Sequence, residues 1–217
     1  MKLNDYFHTH FDNTHVLEES FAERPLTLSL DLQKELYQIQ EDSDELNMAY
    51  FEKVYQKSLT LFEDLFQEDD RLYLIVRVRK DRHSPPAKST EIFERFLKNN
   101  KDRYALEFEK KDVRDEEEVI YQYARLLPSR KSIHYKKLLQ AICNQDFPEL
   151  YPRFKSRQTY YPEIFFVNPD KDIILYIFDD RGCFILTNNE TRFEFLKEQY
   201  TSDLSEGYVL LNEKSDK

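Results

Sequence analysis

The sequence predicts an α+β fold: a mainly antiparallel sheet with helices packed largely on one face, and a C-terminal three-stranded meander followed by a helix. Three observations carry that expectation. Between Ile164 and Leu186, three short apolar runs are separated by turn residues, the pattern of neighbouring antiparallel strands. Between Asn47 and Phe66, Tyr50, Phe51, Val54, Tyr55, Ser58, Leu61, Phe62 and Leu65 recur at helical spacing, the stripe of a helix lying against a sheet. The third is core material: 17 Phe and 15 Tyr give an aromatic content of 15%, so a chain with 34% charged residues still has enough large apolar surface to pack.

Taken in order, Leu3, Tyr6, Phe7 and Phe11 sit at helical spacing with Asn4 as the expected N-cap. Pro25–Leu32 alternates strictly and reads as a half-buried strand. Residues 33–45 are polar and acidic and are expected to loop out before the long helix. Arg71–Arg79, with β-branched residues at its centre, is the next strand. His83-Ser84-Pro85-Pro86 must leave the sheet, because proline cannot donate to a ladder. Ser89 caps a second predicted helix reaching Leu97; Tyr104–Phe108 and Val119–Ala124 read as strands; Ser132 opens a helix that stops near Asn144. Residues 145–162 read as irregular. Then come strands at Ile164–Val167, Ile173–Phe178 and Cys183–Leu186, with turns at Asn168–Lys171 and Asp179–Gly182, and a helix capped by Thr187 or Asn188 that runs to about Tyr200. Gly182 is expected to take a positive φ. With no repeat or low-complexity tract, residues 1–217 read as a single domain in three parts: 1–45, 46–146 and 147–217.

Composition excludes several functions. A net charge of −10 argues against general nucleic-acid binding, which needs a basic footprint. Only 2 glycines are present, and no Gly-rich phosphate loop or GxSxG elbow occurs. The N-terminus lacks the apolar core of a signal peptide, and no run is long enough to cross a bilayer, so a reducing cytoplasm is the expected compartment. Cys143 and Cys183 stand in apolar contexts without metal or disulfide spacing and read as buried small hydrophobes.

Three segments resemble one family. They are Tyr135–Phe147, containing Ala141-Ile142-Cys143-Asn144-Gln145-Asp146-Phe147; Pro162–Asn168; and Ile177–Cys183, containing Phe178-Asp179-Asp180-Arg181-Gly182-Cys183. The chain resembles the bacterial family catalogued as domain of unknown function 3885, with weaker likeness over residues 50–66. Where the family usually carries an acid after Cys183, this sequence has Phe184, so no acidic role transfers to that position. The family name implies no activity; the proximity of some members to polymorphic-toxin genes implies an immunity role.

The Asp179-Asp180-Arg181-Gly182 turn is the first candidate site. Asp179, Asp180 and Arg181 are the expected partner-binding residues and Gly182 the structural turn residue. His8, His10 and His15 lack the i, i+4 spacing of a helical metal pair. A nuclease-type reading from Pro169-Asp170 finds Arg181 where a lysine would be needed. Acidic runs at 41–45, 68–70 and 115–118 read as solvated loops or as a face for a basic partner, interrupted by a basic stretch at 125–157. The expected function is that of a non-catalytic cytoplasmic binding protein, immunity-type in its most concrete form, masking a toxin or another basic protein. No catalytic residue, metal or cofactor is assigned. The alternative is a metal-dependent hydrolase centred on Asp179-Asp180-Arg181-Gly182.

Overall fold

Asn47 does what its place before the apolar stripe predicts: its side chain accepts from the Tyr50 N–H and starts α1, the first helix of the sheet-covering layer and the longest among the described residues, at Met48–Leu65. The computed structural model describes residues 1–11, 16, 17, 21–81, 83, 90–112, 118–154 and 161–205. In chain order, the remaining elements are an N-terminal helix αN (Leu3–Phe11), β1 (Thr27–Asp31), β2 (Leu72–Asp81), α2 (Glu91–Phe96), β3 (Glu107–Asp112), β4 (Glu118–Leu127), α3 (Tyr135–Cys143), β5 (Glu163–Asn168), β6 (Ile173–Ile177), β7 (Gly182–Thr187) and α4 (Glu190–Gln199). The strands form one seven-stranded sheet in the order β1-β7-β6-β5-β2-β4-β3. All of its pairings are antiparallel. The C-terminal meander β5-β6-β7 is therefore contiguous, as the sequence predicts, and β1 extends it at one edge.

Strand alternation divides the core in two. Leu72, Leu74 and Val76 of β2, Ile164 and Phe166 of β5, and Leu175 and Ile177 of β6 face the layer built from α1, α2, α3 and the end of α4. Tyr73, Ile75, Phe165, Val167 and Ile174 face the opposite way, toward Leu3, Tyr6 and Phe7 of αN and toward Val16, Leu17 and Phe21. Helices thus cover mainly one face, with αN on the other. On α1, Phe51, Val54, Leu61 and Phe62 are fully buried. Arg130 closes its C-terminal end by donating to the carbonyls of Glu63 and Phe66, groups a helix leaves without intrahelical partners. Among the described residues, no helix is long and apolar enough to cross a membrane.

Several local expectations shift. Asn4 lies inside αN and caps nothing; the Leu3 N–H instead donates to Glu107 Oε2 at 2.9 Å, a carboxylate from β3 serving the helix start. Tyr104 falls in a 3₁₀ turn, and the strand begins only at Glu107, where pairing with Ala124 sets the register. The helix expected from Ser132 begins at Tyr135 after a 3₁₀ turn over Arg130–Ser132. Asn189, rather than Thr187 or Asn188, caps α4 by accepting from the Arg192 N–H. Gly182 does not have a positive φ; left-handed backbone occurs instead at Leu26 and at Asp172 in the β5–β6 turn. Gly182 is the first residue of β7, paired with Asp31, and it is small for a different reason: a Cβ there would lie 2.7 Å from the Leu30 carbonyl oxygen. Ser89, His15, the proline pair at 85–86, residues 115–117, Lys155 and Arg157 lie outside the described residues.

Candidate functional site

The β6–β7 turn turns its carboxylates inward. Asp179 and Asp180 are 4% and 2% exposed, whereas the Arg181 side chain is 69% exposed. Asp179 accepts from its own turn: Oδ1 from the Arg181 N–H at 2.8 Å and Oδ2 from Arg181 Nε at 2.9 Å, a side-chain turn closed by an ion pair. Asp180 reaches elsewhere. Its Oδ2 accepts from the Tyr50 hydroxyl at 2.7 Å and from Gln38 Nε2 at 3.1 Å, and the same hydroxyl lies 3.2 Å from its carbonyl oxygen. Tyr50 comes from the first turn of α1, and Gln38 from the acidic loop between β1 and α1. The loop is fixed at its base by the Asn47 N–H to Gln38 carbonyl bond and by the Ile39–Leu46 bridge.

The end of α3 packs against the same turn. Gln145 Nε2 donates to the Phe178 carbonyl at 2.8 Å. Asn144, fully buried, accepts from the Tyr55 hydroxyl and donates to the Pro152 carbonyl at 2.8 Å. Asp146 approaches the two turn carboxylates, and the three groups offer oxygens within 4.8 Å of one another. Burial, then the neighbouring Asp179, pushes the Asp146 carboxyl above its ordinary value. Burial does the same to Asp180, outweighing the hydrogen bonds from Tyr50 and Gln38. Burial next to Asp180 raises the Tyr50 phenol as well. Cys143 and Cys183 are both fully buried, and burial pushes the Cys183 thiol up to about 12, so neither is poised as a thiolate.

Of the expected partner-binding residues, then, only Arg181 reaches solvent, and Asp179 and Asp180 work inside the fold. Periodicity places Tyr50 in the apolar stripe and is silent on its hydroxyl; Gln38 carries no signal of its own, and Asn144 and Asp146 are marked only as members of the Ala141–Phe147 segment of the family resemblance. Other singled-out residues are absorbed by structure. Asp170 accepts from Arg71 at Nε, Nη2 and the backbone. His10 Nδ1 lies 2.9 Å from Asp172 Oδ1. Within the basic stretch, Arg125 pairs with Asp102 and Lys131 with Glu68. Of the acidic runs, Glu68 and Asp70 are tied to Lys131 and Lys171, and Glu118 to Arg79. Glu41, Asp42, Asp44 and Glu45 stand exposed on the loop that Asp180 holds.

A family model described as "Domain of unknown function (DUF3885)" matches residues 3–207. The chain is similar to an uncharacterized protein YnaE of Bacillus subtilis (strain 168), 29% identical over 208 residues that cover 92% of this chain and 95% of the relative. No solved structure matches it significantly.

Proposed function

This chain belongs to the DUF3885 family, and from that premise and the geometry of the turn we propose that it is a non-catalytic protein that works by binding a basic protein partner. The observation that carries the reading is the acidic loop. Four exposed carboxylates, Glu41, Asp42, Asp44 and Glu45, are carried on a segment pinned by Gln38 to the buried Asp180. A loop ordered before the encounter loses less conformational entropy on binding, which favours affinity. Clustered like charge on a chain of net charge −10 steers an oppositely charged partner and raises its on-rate. Asp180 acts in this reading as the anchor of the contact surface rather than as the surface, and Asp179 braces the turn that carries it. In its immunity form the partner is a toxin, and the contact masks it.

The test is capture from native-host cells with the wild-type chain and with a Glu41→Gln, Asp42→Asn, Asp44→Asn, Glu45→Gln variant as baits. The expected prey is a basic protein, lost with the variant and at high salt. Identical prey on both baits, or none, overturns the reading. The immunity form further requires that the prey arrest growth when expressed alone and cease to do so on co-expression.

The Asp146, Asp179 and Asp180 cluster favours a second reading, a metal-dependent hydrolase, because three carboxylates at this spacing can share a divalent cation. Calorimetric titration with Mg²⁺, Mn²⁺ and Ca²⁺ separates the two. Stoichiometric binding abolished by Asp179→Asn would move the function to the turn.

A further inference from the structure

The acidic loop carries more than charge. Tyr37 is 70% exposed, Ile39 41% and Met48 48%, three large apolar side chains held in solvent on one short stretch of the fold. Tyr37 and Ile39 flank Gln38 on the outgoing arm, and Met48 follows Asn47 on the returning one. The Asn47 N–H to Gln38 carbonyl bond, at 2.8 Å, and the Ile39–Leu46 bridge lay these arms side by side. The loop sequence from Glu41 to Glu45 crosses between the arms, so the apolar residues lie at the base and the carboxylates at the tip. The base is the part fixed by Gln38 to Asp180 and by Tyr50 at the start of α1.

Scattered single hydrophobes on a surface need no explanation, but three carried on the paired arms of one loop, beside a run of like charge, have the composition of a contact patch with an apolar centre and a charged rim. Aromatic side chains dominate binding energy where they are desolvated, and methionine adapts to irregular apolar surfaces. Resting on the binding reading above, we propose that Tyr37, Ile39 and Met48 are the apolar centre of the docking surface, and that the occupant is a basic protein with an apolar depression ringed by lysine or arginine. Charge selects that occupant. A second copy of this chain docked by the same patch in a two-fold pair would bring the carboxylates at 41, 42, 44 and 45 against their own equivalents, and a nucleic acid or an anionic membrane would be repelled by them.

The two parts of the surface make separable demands. Neutralising the rim changes the on-rate and the salt dependence; truncating the centre changes the off-rate and leaves the salt dependence in place. The experiment places a photo-crosslinking phenylalanine analogue at position 37, 48 or, as a control on α4, at the 64%-exposed Phe195 of the full chain in native-host cells. The affinity of the crosslinked protein is then measured for the wild-type chain, for Tyr37→Ala, Ile39→Ala and Met48→Ala, and for the four-carboxylate variant. Melting curves confirm that each variant is folded. The expected result is one basic protein crosslinked from 37 and 48 but not from 195, with Kd raised at least tenfold by Tyr37→Ala and its salt slope unchanged. Crosslinking to a second copy of the chain, equal crosslinking from 195, or none at all overturns the proposal. A Kd that rises only with the carboxylate variant overturns the apolar centre and leaves the acidic-loop reading standing. A Kd unmoved by either set removes both.

Discussion

Replacing Gly182 with alanine should destabilise the protein by steric conflict rather than by backbone strain. The new Cβ would lie 2.7 Å from the Leu30 carbonyl oxygen and 2.8 Å from Phe178 Cζ. The Phe178 ring can turn aside; the Leu30 oxygen cannot. It belongs to β1, which is held to β7 by the Leu30–Cys183 and Asp31–Gly182 pairs and, just beyond, by the Leu32 N–H to Arg181 carbonyl bond at 2.9 Å. Overpacking a well-filled site costs about 1–3 kcal/mol, and a backbone neighbour places this one in the upper half of that range. For a chain of this size, each kcal/mol lowers the melting temperature by about 2–4 °C, so a fall of roughly 4–12 °C follows. Urea unfolding measures it, with the midpoint falling and the slope unchanged. Gly182→Asn separates the mechanisms. Asparagine tolerates left-handed backbone better than alanine does, so strain would make Asn the milder change; crowding makes it the harsher. An alanine variant within about 0.5 kcal/mol of wild type, or an Asn variant more stable than Ala, refutes the reasoning.

Other outcomes follow from the same geometry. Leu61→Ala, at a fully buried α1 position, should cost about 2–5 kcal/mol, read as a shift in the denaturant midpoint. Tyr50→Phe removes the hydroxyl that donates to Asp180 and should cost about 1–3 kcal/mol, because it leaves a buried carboxylate short of a donor. Burial holds the Asp180 carboxyl above its ordinary value, so the folded chain binds that proton more tightly than the unfolded one. This group's contribution to stability therefore falls as pH rises from the unfolded value through the folded one, and levels off above it. Asp180→Asn should remove that fall from a pH series of urea titrations, and an unchanged pH profile would show that Asp180 is not the group responsible.

The elements that were legible are those whose signal is local. Asn47 and the stripe from Tyr50 to Leu65 fix α1, because one face of a helix and its cap lie within a few turns of sequence. The meander was legible because turn residues separate three apolar runs. The start of β3 was not: alternation from Tyr104 to Phe108 fits a strand, but the residues that pair are set by β4, and the first β3 residue to pair with it is Glu107, opposite Ala124. The Asp179–Gly182 turn was legible as a turn, while the direction of its side chains was not. Asp180 is bonded by groups 130 and 142 residues away, one of them the hydroxyl of a tyrosine whose spacing marks it only as core. Gly182 shows the same limit, since its neighbour Leu30 belongs to a strand from the other end of the chain.

What the inward carboxylates do is decided by how they are neutralised. Asp179 has a counterion in Arg181, whereas the hydrogen bonds to the Asp180 side chain come from the neutral donors Tyr50 and Gln38. A carboxylate buried among neutral donors is costly to ionise, which accounts for the upward shift of its pKa. The two functional readings therefore make opposite demands on one atom. As an anchor for the acidic loop, position 180 needs an acceptor for the Tyr50 hydroxyl, and the carbonyl oxygen of asparagine supplies one. As a cation ligand beside Asp146 and Asp179, it needs the negative charge, which asparagine lacks. Asp180→Asn should accordingly keep the loop in place and the affinity for a basic partner intact. A variant that folds normally and still loses partner binding, together with a divalent-cation signal present in the wild type, would assign the turn to metal chemistry and not to anchoring.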